Sequence, residues 1–103
     1  MRAASDVFDA IAHPVRRRIV QRLGRGPAPV HELVSGFDIT QQAVSKHLRV
    51  LTDAGVAVWR RRGQENVYRL VPSSLKKVRT WLDSFGHRGA PIVRQRAKGL
   101  TYK

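Results

Sequence analysis

Cysteine is missing from all 103 residues, which excludes disulfides, thiolate metal sites, cysteine nucleophiles and thiol-based redox sensing. Acids are scarce. Seven Asp and Glu stand against twenty Lys and Arg, and they are too scattered for a paired-carboxylate active site. No apolar run approaches the ~20 residues of a membrane span, and the opening Met1-Arg2-Ala3-Ala4-Ser5-Asp6 has no apolar core of a secretion signal, so a cytoplasmic location is expected. The serines lack a neighbouring base and acid, and the glycines form no phosphate loop. Neither an enzyme nor a bound cofactor is expected.

What is present is positive charge. The formal net charge is +13, and fifteen of the basic residues are Arg, the side chain that best forks onto phosphate and guanine. Double-stranded nucleic acid is the favoured partner. A merely solvated basic surface and attraction to anionic lipid are the alternatives. The length allows one domain with a modest core, for which a second subunit would be a useful source of stability.

Thr40 to Gly55 carries the strongest pattern. Val44, Leu48 and Leu51 recur at i, i+4, i+7 as one buried stripe, while Gln41, Gln42, Ser45, Lys46 and Arg49 point the other way. Thr40 suits the N-cap and Gly55 the position past the last turn. No acid interrupts the outer face until Asp53, as insertion into a polyanion's groove requires. In that setting Gln41, Gln42 and Lys46 are the expected base readers, because Gln pairs bidentately with adenine and Lys reaches guanine. Thr40 and Ser45 supply hydroxyls near the helix entrance, Thr40 also serving as cap.

Upstream, Ser5 is expected to cap a short helix through Ala12 with Val7, Phe8 and Ile11 as its apolar stripe. Pro14 breaks the chain and opens a second helix to Leu23, ended by Gly24. Its Arg16, Arg17, Arg18 and Arg22 are expected outside, as a solvated face in preference to a phosphate-contacting rim. Gly24 to Pro29 reads as a loop, and Val30 to Ser35 as a short helix. Gly36-Phe37-Asp38-Ile39 then forms a tight turn before the Thr40 helix, with Phe37 and Ile39 as an apolar wedge. That is a helix-turn-helix.

After Gly55 the residues become β-branched and aromatic. Val56 to Arg60 and Asn66 to Leu70 read as a hairpin, with Arg60, Arg61 and Arg62 at its Gly63 tip as contacts to phosphates or an adjacent minor groove. Ser73 or Ser74 is expected to cap a last helix bearing Leu75, Val78, Trp81, Leu82 and Phe85. This stripe and that of Val7, Phe8 and Ile11 both call for a partner surface. From Gly86 the chain is basic and without acids, and a flexible tail is expected.

His13, His31, His47 and His87 raise the question of metal. None pairs at zinc-site spacing, and only Asp83 with His87, at i and i+4, resembles a half-site, so no metal site is expected beyond that weak pair. His47 is expected either beneath its helix or on the DNA backbone.

The helix order followed by a glycine-tipped hairpin resembles the ArsR family of bacterial winged-helix repressors. His13-Pro14-Val15-Arg16-Arg17-Arg18-Ile19-Val20 is similar to that family's opening D-P-x-R-x-x-I-L segment. Thr40 to Leu51 with Ala54-Gly55 is similar to its S-Q-x-x-V-S-x-H-L-x-x-L-x-x-A-G-L signature, and Tyr68 and Leu70 stand where an aromatic and an aliphatic residue are usual. The likeness runs from Val7 through Phe85. It implies a mainly α fold with a small β-hairpin, a homodimer joined by first and last helices, and an inverted-repeat operator. Metal-sensing relatives carry cysteines where this chain has Val30-His31-Glu32-Leu33-Val34, so the resemblance is to the non-metal branch, with the effector, small molecule or metal, unknown. Residues 1–85 are thus read as the DNA-binding and dimerisation domain and 86–103 as the tail. A sequence-indifferent architectural DNA protein, a metal-responsive repressor using Asp83 and His87, and a protein-interaction module are the competing readings.

Overall fold

The computed structural model describes residues 6–86; the basic tail and His87 lie outside the described residues. The elements are α1 (Val7–Ala10), α2 (Pro14–Leu23), β1 (Ala28–Pro29), α3 (Val30–Ser35), α4 (Gln41–Asp53), β2 (Ala57–Arg62), β3 (Glu65–Leu70), a 3-10 turn (Pro72–Leu75) and α5 (Lys76–Asp83).

The cap of α1 is Asp6 rather than Ser5, its carboxylate accepting from the Asp9 N–H at 3.0 Å. That helix stops at Ala10, short of the expected Ala12. Pro14 holds His13 in an extended conformation (φ −98°, ψ 131°), which a helix running into proline cannot accommodate. His13 instead caps α2, its Nδ1 accepting from the Val15 N–H at 3.1 Å. Ile19 and Leu23 of α2, Leu33 of α3 and Val44, Leu48 and Leu51 of α4 meet in one core with Val7, Ala10, Val56 and Ala57. Phe37 and Ile39 pack against it from the α3–α4 turn, as the wedge expectation requires.

At its far end α4 closes with the Gly55 N–H donating to the Thr52 carbonyl (3.0 Å) and the Val56 N–H to the Leu51 carbonyl (2.9 Å). This paired closure needs a left-handed residue, and Gly55 has φ 79°. Val56 and Leu51 are both fully buried there, so the exit from the helix is fixed by packing as well as by hydrogen bonds.

β2 and β3 pair antiparallel from Ala57↔Leu70 to Arg62↔Glu65, leaving a two-residue turn at Gly63 (φ 65°) and Gln64. Glycine at the first central position is the type II′ preference, whose twist matches the strands it joins. Ala28–Pro29, read from sequence as loop, adds β1 on the other side of β3, giving the order β1-β3-β2. Pro29 suits an edge because it has no N–H to leave unpaired.

The serine cap expected for the last helix is not made. Ser74 Oγ donates to the Val71 carbonyl at 2.6 Å, and Leu75 precedes α5 with no side-chain hydrogen bond to it. Proline at the first position favours the tighter turn that takes the cap's place.

Candidate nucleic-acid interface

The buried stripe of α4 leaves Gln41, Gln42, Ser45, Lys46 and Arg49 exposed on the opposite side. Thr40 Oγ1 accepts from the Ala43 N–H at 3.1 Å, so the hydroxyl caps α4 and keeps its O–H to donate. Because side chains alternate along β2, Ala57, Trp59 and Arg61 share a face, and the register sets Trp59 opposite Tyr68. That face continues outward from the core and stands beside α4. An open groove of about 700 Å³ results, walled by Gln42, Ser45, Lys46, Arg49, Thr52 and, at its far end, Asp53 on one side and Trp59 and Tyr68 on the other.

Trp59 and Tyr68 are not among the DNA contacts expected from sequence. Trp59 is 51% exposed, a large apolar group left half open to water within a polar groove. Their ring centroids are 6.4 Å apart. Burial raises the Tyr68 phenol above its usual range, against a hydrogen bond with Asn66 that acts the other way. The two-residue Gly63-Gln64 turn is the signal that could have found them, since it alone sets 59 opposite 68.

The three wing arginines are the last residues of β2 before the Gly63-Gln64 turn and line one open groove with Val58 and Trp59. They alternate along the strand, with Arg60 and Arg62 on the face of Val58 and Arg61 on the face of Trp59. Arg61 donates to the Gly63 carbonyl at 3.2 Å and lies 3.5 Å from Asn66 Oδ1. The side chains of Lys46, Arg49, Arg60 and Arg62 make no hydrogen bond or ion pair with the other described residues, although the Arg49 carbonyl accepts from Thr52 Oγ1.

His47 faces away from the groove. It is half-buried under α4, its ring 4.5 Å from that of His13 and its Nδ1 3.3 Å from an Arg16 guanidinium nitrogen. Burial pushes its imidazole below the usual range, and the positive charge of His13, Arg16 and Lys46 adds to the effect.

Of the α2 arginines expected to form a solvated face, Arg17 and Arg18 are exposed and Arg16 and Arg22 are half-buried, and all four also make contacts within the chain. Arg16 donates to the carbonyls of Ala10 (2.6 Å) and Asp9 (3.2 Å), and Arg17 to that of Ile11 (2.8 Å). Arg22 reaches the Gly26 carbonyl (3.0 Å) and Glu32 Oε1 (3.2 Å), and Arg18 stands over the Phe37 ring at 4.6 Å. They tie α1, α2, α3 and the α3–α4 turn together.

Of the residues expected at a dimer surface, Val7 is buried in the chain's own core, and Phe8, Ile11, Leu75 and Val78 are half-buried. Trp81, Leu82 and Phe85 are 52%, 53% and 61% exposed. Phe8, Trp81 and Phe85 form an edge-to-face chain, with centroids 5.8 and 5.1 Å apart. Asp83 ends α5 near this patch; among the described residues no group of three or more His, Asp or Glu could hold a metal.

Three helices in helix-turn-helix order, a sheet whose hairpin flanks the third, and a polar groove between them define a winged helix-turn-helix protein. A helix-turn-helix domain family matches residues 11–58. The HTH-type transcriptional regulator Rv2034 of Mycobacterium tuberculosis is 40% identical over 84 residues, covering 82% of this chain and 78% of that protein. The HTH-type transcriptional repressor SmtB of the same species is 40% identical over 91 residues, covering 88% of this chain and 66% of that one. A crystal structure of a possible transcriptional regulator for arsenical resistance aligns with a TM-score of 0.73 at 42% identity, over 79% of this chain and 84% of that one. The chain belongs to the ArsR family of helix-turn-helix transcriptional regulators, a family of DNA-binding proteins and not of enzymes.

Proposed function

We propose that this chain is a cytoplasmic transcriptional repressor that binds an inverted-repeat operator as a homodimer, with α4 of each protomer in the major groove. The observation that carries the reading is the groove between α4 and the wing. Its helix wall presents an amide, a hydroxyl and two cations unpaired among the described residues, with no acid before Asp53. Gln41, Gln42, Ser45 and Lys46 read bases in this assignment, and Arg49, Arg60, Arg61 and Arg62 hold phosphates. His47 acts from beneath.

Dimerisation is supported by Trp81, Leu82 and Phe85, a contiguous apolar surface next to Phe8 that a monomer would leave in water. A two-fold axis through it would set the two α4 helices about one DNA turn apart, ~34 Å. With no cysteine, the inducing signal does not act through a thiolate, which favours the non-metal branch.

The test is selection of duplexes from a random-sequence pool, followed by titration of the selected and a scrambled duplex, with light scattering of the free protein. A preference of ~10³ or more and a dimeric mass are expected. Equal affinity for the two duplexes would make the protein a sequence-indifferent architectural one, and a monomeric mass would remove the two-fold operator.

A further inference from the structure

One cluster is absorbed neither by the groove nor by the dimer patch, and the role inferred for it rests on the reading of α4 as the base-reading helix. His13, Arg16 and His47 meet where α1, α2 and α4 converge. His13 Nδ1 accepts a backbone N–H, so it carries no proton. His47 Nδ1 faces an arginine, which has no acceptor, so it too is a bare nitrogen. Arg16 is in turn held by two carbonyls at the end of α1. The underside of the recognition helix is thereby tied through Arg16 to α1 and α2.

We propose that His13, Arg16 and His47 are positioning residues that form a proton-sensitive seat for α4, so that the protein's discrimination between DNA sequences weakens in mild acid. Protonation turns each Nδ1 from acceptor to donor, and each then faces a donor: the Val15 N–H for His13 and the Arg16 guanidinium for His47. The two imidazolium charges would lie 4.5 Å apart between ring centroids, beside Arg16. Among the described residues no anion is bonded to either ring. Lys46 adds a further positive charge from α4, and on α1 both Asp6 and Asp9 are exposed, with the Asp6 carboxylate bonded to the Asp9 N–H. Burial and neighbouring positive charge hold the His47 imidazole below its ordinary value near pH 6.5, so its change falls on the acid side of that value. Added positive charge strengthens attraction to any duplex. The ratio of selected to scrambled affinity is therefore the quantity that reports the seat, not affinity alone.

The experiment measures that ratio at about pH 8 and about pH 5.5 for the protein and for the His13→Asn/His47→Gln double variant. Asn still caps α2 and Gln still offers Arg16 an acceptor, and neither titrates. The protein is expected to lose its ratio about tenfold between the two pH values, and the double variant to hold it within about twofold. An unchanged ratio in the protein, or an equal fall in the double variant, overturns the proposal. Amide spectra of the unaltered protein form a second arm that needs neither DNA nor a folded variant. Protonation of His47 should shift the Ser45 and Lys46 amides of α4 together with the Arg16 side-chain N–H signals, and His47 titrating while those signals stay still also overturns the proposal. In His13→Asn the His47 pKa should rise, because one of the positive charges that depress it is gone. Failure to select any duplex at the higher pH would defeat the base-reading assignment itself, while the spectra would still judge the seat.

Discussion

The arginines of α2 and the cations of α4 and the wing share one chemistry and do opposite things. Each α2 guanidinium finds a carbonyl, a carboxylate or a ring within the molecule, whereas Lys46, Arg49, Arg60 and Arg62 find none among the described residues. Arg16, which bonds two carbonyls and His47, has little left to offer a phosphate, whereas the exposed Arg17 and Arg18 use fewer of their five N–H donors within the chain. A charge count of +13 cannot separate the two groups, and only their partners can.

Substitutions on each side test that division. Lys46→Glu should lower affinity for the selected duplex about 100-fold, because it removes one contact and adds repulsion, while changing unfolding free energy by no more than about 0.5 kcal/mol. A large loss of stability in urea would erase the distinction. Arg16→Ala should do the reverse, costing about 2 kcal/mol in urea denaturation as its carbonyl partners and His47 are left unbonded. If the variant were as stable as the parent, Arg16 would belong with the exposed Arg17 and Arg18 on a solvated face.

Gln42→Ala divides the outer set again. It should cost about tenfold on the selected duplex and almost nothing on the scrambled one, since an amide reads a base edge. Removing Arg60 or Arg62 should weaken both duplexes by about threefold, and each should flatten the logarithmic salt dependence by about 0.9. A change in sequence preference from either would move the wing into base readout.

The smallest effect expected is on stability against pH. His47 binds its proton less readily when folded than its ordinary value allows, so between that lowered value and about pH 6.5 the unfolded chain holds more protons. Stability is therefore full above about pH 6.5 and declines as pH falls through the folded value. Urea midpoints rising on acidification would contradict the lowered His47 affinity.

Much of the fold is readable in the sequence because it is local. Thr40, Gly55 and the spacing of Val44, Leu48 and Leu51 define α4 without help from the rest of the chain, and Pro14 and Gly24 bracket α2 in the same way. What escapes depends on distant partners. Ala28–Pro29 is a strand only because Tyr68 and Val67 lie beside it. Arg16 resembles any surface arginine until α1 ends next to it, and His47 turns inward because His13 and Arg16 are there to receive it. Charge and glycine adjoin in sequence and so place Arg60 to Arg62 next to the turn, where they do lie, but pairing carries β2 through Arg62 rather than ending it at Arg60. Ser73 and Ser74 match a capping pattern that the preceding proline overrides.

The turn at Gly55 has a mechanical consequence. A side chain there would have to adopt φ 79°, at roughly 1–2 kcal/mol, and the helix and strand it joins are anchored in the core by Leu51 and Val56. Helix and hairpin consequently behave as one rigid jaw without a joint of its own. In the dimer proposed for this chain, any signal that loosened the grip on DNA would have to rotate the whole jaw against its twin, with the leverage coming from α1, α2 and α5.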